Sequence, residues 1–116
     1  METISRKLAE QHEDILIVAV LQNDKAPDWY VKPGIPVPTE SRYANMIIQT
    51  QLIISIIKNN QDYLGKLEHV FVSQGMVDVA LFPLKENEVV CVVMKKQAMN
   101  SPVMRNVSEF LRSLGY

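Results

Sequence analysis

Residues able to do chemistry are few in this chain and stand apart from one another. The two histidines are His12 and His69, and the single cysteine is Cys91. His69 follows Glu68 where a strand is expected, and an imidazole there could act as a general base. A base needs a nucleophile or a polar substrate group within reach, and the residues that follow it, Val70, Phe71 and Val72, are apolar. The favoured reading is a half-buried or edge-strand histidine. Cys91 lies inside Val89-Val90-Cys91-Val92-Val93, which offers no positive charge or helix start to stabilise a thiolate, so a buried, inert thiol is expected. Asp78 is the one charge within Val77-Asp78-Val79-Ala80-Leu81; a cross-strand pair with Lys95 explains it more simply than a functional carboxylate. Trp29-Tyr30, beside Pro33, Pro36 and Pro38, could form a surface for a partner, although Trp29 covering one end of the core is the plainer reading. Met94, Met99 and Met104 read as gap-fillers in the core. Four glycines, at 34, 65, 75 and 115, are too scattered for a phosphate loop, and no Cys/His cluster has zinc-site spacing. No catalytic, cofactor-binding or metal-ligating residue is assigned, and no enzyme activity is expected.

Composition sets the frame for these residues. At 116 residues the chain suits one domain, 1–116, able to bury a core without disulfides or metal. It is 47% hydrophobic and 22% charged, with a net charge of −1, so no basic footprint for nucleic acid is present. The N-terminal stretch Met1–Glu13 is polar and charged, which argues against a secretory signal. The longest apolar run, Ile15–Leu21, is too short to cross a bilayer. A cytoplasmic protein without membrane insertion is expected.

The elements that must position these residues follow from periodicity. Ile4 and Leu8 mark a short helix in Glu2–His12. Ile15–Leu21 is an unbroken apolar run rich in Ile and Val, which predicts a strand covered on both faces. Asn23–Pro27 is a turn, and Asp28–Val31 a short strand returning beside the first. The prolines make Lys32–Pro38 extended loop or sheet edge. Thr39 caps a long helix running to Asn60, with Glu40 in its first turn and Gly65 beyond its end. Three strands follow, Leu67–Ser73, Met76–Leu84 and Glu88–Lys95, linked by hairpins at Gln74-Gly75 and Lys85–Asn87. In the last helix Ser101 is the N-cap, Pro102 the first helical residue and Gly115 the stop. Val103, Val107, Phe110, Leu111 and Leu114 form its apolar stripe. The order is α-β-β-α-β-β-β-α, and the fold class is α+β: a five-stranded antiparallel sheet, order 2-1-5-4-3, with helices on both faces.

The long helix carries more apolar surface than one face can hold. Tyr43, Met46, Ile47, Ile53, Ile54 and Ile57 make one stripe at 100° per residue. Ala44, Ile48, Leu52 and Ile56 make a second, spaced i, i+4, i+8, i+12. A helix lying on a sheet has one core face, so the second stripe asks for another partner.

In this order and pattern the chain resembles the roadblock/LC7 family, within the profilin-like and longin-like group. Val31-Lys32-Pro33-Gly34-Ile35, His69-Val70-Phe71-Val72, Val79-Ala80-Leu81-Phe82-Pro83-Leu84 and Glu88–Met94 carry the likeness, which extends over nearly the whole chain. It is similar above all to small archaeal proteins of roadblock type, and departs from the family pattern in the proline-rich stretch Ala26–Pro38. The resemblance implies a homodimer joined through edge strands and long helices, here through Ala44, Ile48, Leu52, Ile56, Val70 and Val72. It implies scaffolding or regulation, often of small GTPases, without a catalytic motif or cofactor. A second reading, from the profilin-like group, is a small-molecule sensor. That reading expects a cavity between sheet and helix with convergent polar groups, whereas the scaffold reading expects a filled core and an apolar outer helix face.

Overall fold

The computed structural model describes residues 3–21, 28–85, 88–96 and 102–115. The apolar run Ile15–Leu21 forms β1, buried almost throughout, and it sits second in the sheet between β2 (Asp28–Val31) and β5 (Val89–Lys95). With β3 (Val70–Ser73) and β4 (Val77–Pro83) the order is β2-β1-β5-β4-β3, and every neighbouring pair is antiparallel. This is the expected α+β architecture. The strand Asp28–Val31 is present, pairing Val18 with Tyr30 and Ala19 with Trp29.

Helices cover both faces. On one, α1 (Ile4–Ala9) and α4 (Val103–Ser113) set Leu8, Ala9, Val103, Val107 and Leu111 against Val18, Val20, Ala80, Phe82, Val90, Val92 and Met94. A polar clamp fixes α1: the Ser5 hydroxyl and backbone N–H donate to the two carboxylate oxygens of Asp28, at 2.7 and 3.2 Å. On the other face lies α2 (Glu40–Lys58), whose Ile54 packs on Leu81 and Val89. The Thr39 hydroxyl accepts from the Arg42 N–H at 3.3 Å, the expected cap. A one-turn helix α3 (Gln61–Leu64), which periodicity does not reveal, extends α2, and Gly65 closes it at φ +94°. That conformation favours glycine.

Three expectations need correction. The hairpin β3–β4 pairs Ser73 with Asp78, and Gln74 donates its N–H to the Val77 carbonyl at 2.9 Å, so the turn falls on Gly75-Met76, one residue later than Gln74-Gly75. The β4–β5 register is offset by one residue, with Pro83 opposite Val89. A one-residue slip exchanges the faces of every side chain. Asp78 therefore stands opposite Met94, and its cation is Lys96 at 3.1 Å instead of Lys95.

The second correction concerns β3, which begins at Val70 and not at Leu67. Leu84 donates its N–H to the carbonyl of Glu88, just before β5, at 2.7 Å. By alternation Pro83 turns its backbone toward β3, where it has no N–H to give. The ladder stops there and residues 65–69 leave β4.

The third concerns α4, which starts at Val103 with Pro102 in the cap position. Proline suits either place, since its missing N–H would be unpaired in both. Ser101, Met99, Asn87 and the turn at 23–27 lie outside the described residues.

Candidate interaction surface

The surface is built on α2, about 28 Å long from its residue count. Ile54 is its one fully buried residue among those described, while Tyr43 and Ile47 are half-buried. The second stripe lies outward: Ile48 is 63%, Leu52 58% and Ile56 57% exposed, and Ala44 is exposed beside them. Met46, Ile53 and Ile57, assigned to the inner stripe, stay more than a third exposed and flank it. The helix touches the sheet along a narrow line, and its apolar residues continue around to the outer face. The result is an apolar area of several hundred Å², about as large as a monomer usually shows.

The edge of the sheet lies on the same side. Among the described residues β3 has a single neighbour, β4. Val70 and Val72 are half-buried; Val70 packs in the Ile54 cluster, and Val72 pairs with Val79 of that cluster. The structure thus brings Val70 and Val72 to the α2 face. Their backbones, however, turn inward to β4, in phase with Gln74. Phe71 and Ser73 present N–H and C=O at the outer edge by alternation. Side-chain patterning in the sequence singles out the valines, and only the register identifies the groups that a further strand would meet.

The two aromatic residues do not share a platform. Trp29, 37% exposed, stacks on Tyr43 of α2 with ring centroids 4.5 Å apart. Tyr30 points to the opposite face, against the α1–α4 core, with the Arg6 guanidinium 5.5 Å from its ring centre. Trp29 therefore joins α2 to the outer end of the sheet.

Beneath that stack Trp29, Tyr43, Thr50, Ile17, Ala19 and Cys91 help line a cavity of about 50 Å³. Ligand pockets usually measure several hundred Å³, which leaves the sensor reading little room here. The Tyr43 hydroxyl is buried without a hydrogen-bond partner among the described residues, and burial, then nearby Cys91 and Asp28, pushes its pKa up to about 12. Burial likewise raises the Cys91 thiol to about 11, in keeping with an inert thiol. His69 is exposed in the segment before β3, with its ring 5.8 Å from that of Phe82. Among the described residues, no helix is long and apolar enough to cross a membrane.

No protein-family model and no curated protein matches the sequence. Solved structures do match the fold. A roadblock/LC7 domain from Streptomyces avermitilis is similar over 95% of this chain and 90% of its own, with a TM-score of 0.71 at 10% identity. MglC from Myxococcus xanthus is similar over 90% of this chain and 91% of its own, with a TM-score of 0.51 at 16% identity. Neither likeness bears on the archaeal resemblance of the sequence. With helices on both faces of a sheet in the order β2-β1-β5-β4-β3, the chain adopts a roadblock/LC7-like fold.

Proposed function

We propose that residues 1–116 form a single, non-enzymatic interaction and regulatory domain that acts in the cytoplasm as a homodimer. Its further partner is another protein, and a small GTPase is the class that the roadblock resemblance implies. The observation that carries the reading is the outward stripe of α2, with Ile48, Leu52 and Ile56 each more than half exposed on a helix that buries only Ile54 fully. A two-fold axis near this stripe would bury the same residues from both copies, with Ala44 permitting close approach. Pairing of β3 with its symmetry mate would cover the open edge. Nothing in this arrangement requires a cofactor.

The test is Leu52→Glu combined with Ile56→Lys, followed by light scattering. The wild-type chain is expected as a dimer and the double variant as a folded monomer. A variant that remains dimeric with unchanged stability would show that the stripe is not the interface.

A further inference from the structure

Where β3 parts from β4, a cleft opens that belongs neither to the outward stripe of α2 nor to the edge strand. On the α4 side it measures about 350 Å³ and is lined by Lys66, Leu67, Pro83, Leu84 and Arg112, among others. On the α2 side it continues as a groove of about 320 Å³, lined by Lys58, Gln61, Lys66, Leu67, Pro83, Leu84 and Lys85. The two share Lys66, Leu67, Pro83 and Leu84, so they form one channel running across the end of the sheet. Its floor is apolar: Leu67, Pro83 and Leu84 are all half-buried. Its walls are cationic, with Lys66, Lys85 and Arg112 exposed and Lys58 half-buried. Glu68 is the one carboxylate among the described lining residues. In a chain of net charge −1, four cations about one apolar floor are a local concentration and not the overall balance.

We propose that this channel binds an extended, acidic segment of a protein partner, with carboxylates on Lys58, Lys66, Lys85 and Arg112 and an apolar side chain on Leu67, Pro83 and Leu84. The shape favours a chain over a compact anion, because the channel is elongated and passes from one helical layer to the other. The apolar floor favours a peptide over a phosphate, which would gain nothing from Leu67 or Leu84. The proposal rests on the reading of the chain as an interaction module, but on a surface away from the proposed dimer stripe.

The probe is a fluorescein-labelled peptide of repeated Asp-Glu-Leu-Glu, titrated with the full chain and followed by anisotropy. Binding should weaken steeply with salt. Lys66→Glu with Lys85→Glu should weaken it by about tenfold or more. A peptide of repeated Asp-Glu-Ser-Glu should bind more weakly, and tripolyphosphate should compete poorly. Amide shifts should centre on residues 65–68, 84–85 and 108–112. An unchanged affinity in the charge-reversed variant, equal binding of the serine peptide, or equal competition by tripolyphosphate would overturn the proposal. So would shifts centred on Ala44–Ile56. Light scattering on the same samples separates the two readings. The charge-reversed variant should remain dimeric, and the Leu52→Glu/Ile56→Lys variant should still bind the peptide.

Discussion

Cys91 and Tyr43 show how an environment decides what a reactive side chain does. Both line the small cavity under Trp29, and both hold their protons to higher pH than usual, to about 11 and about 12, chiefly because burial penalises the charged form. The unfolded chain would ionise them from about pH 9 and 10. Between these values and the folded ones, the unfolded state binds fewer protons than the native state, so stability falls as pH rises. The stabilising contribution is complete below about pH 9 and is lost through pH 11 and 12. Lys32 has the opposite slope: its pKa is lowered from 10.5, first by burial and then by Lys95, so the native state releases that proton earlier. Comparison with Cys91→Ala isolates the thiol. Thermal unfolding of the wild type should lose more stability between about pH 9 and 11 than that of the variant, and a thiol reagent should label native Cys91 slowly. Equal pH profiles together with rapid labelling would sink this account. The strand position of Cys91 was legible in its run of valines, although the residue is half-buried and not fully buried as expected. The pairing with Tyr43 was not, because it depends on how α2 lies across the sheet.

At the level of elements, one cation ties three strands together. The Lys96 ammonium donates to the Ser73 hydroxyl, to the Gln74 carbonyl at 2.6 Å and to Asp78 Oδ1 at 3.1 Å. It follows directly on β5 and so pins the β3–β4 hairpin, which forms the outer edge of the sheet. Asp78 is only 3% exposed and keeps its charge largely out of water. Lys96→Met retains the side-chain stem but removes the charge, and should destabilise by roughly 1–3 kcal/mol in urea denaturation. The Lys96 side chain is 40% exposed, which places the cost below that of breaking a fully buried pair. Adding Asp78→Ala should recover part of the loss, because the buried charge goes too. A Lys96→Met chain as stable as wild type would refute the clamp. Sequence reasoning reached a cross-strand pair for Asp78 but chose Lys95, because it set Leu84 opposite Val89 where the structure sets Pro83. β1 and β2 were read to the residue, since their limits coincide with changes in hydrophobicity. The start of β3 was misjudged: Leu67, Glu68 and His69 look like strand, and what stops them is Pro83 on the neighbouring strand. Such information lies in the register and not in the local pattern.

For the molecule as a whole, the unresolved balance is that of α2. Ile48, Leu52 and Ile56 each leave about 60% of their surface in water. Covering that surface would return roughly 1–2 kcal/mol per side chain, or about 6–12 kcal/mol from two copies of the stripe. Association costs about 4–15 kcal/mol in lost freedom, so the stripe alone gives at best a modest dimer. The flanking Met46, Ile53 and Ile57 add to it, and so do the backbone groups of Phe71 and Ser73 at the edge of β3. A dimer held this way should dissociate on dilution, which makes thermal stability depend on protein concentration. Mass action gives about 2.7 kcal/mol when the partner concentration is a hundred times the dissociation constant. For a domain of this size that corresponds to a rise in Tm of roughly ten degrees. The wild-type Tm should therefore climb across a roughly hundredfold concentration series, while that of Leu52→Glu/Ile56→Lys should stay level. A wild-type Tm that ignores concentration across that range, in a chain that light scattering finds monomeric, would mean that the exposed face of α2 waits for a different protein and not for its own copy.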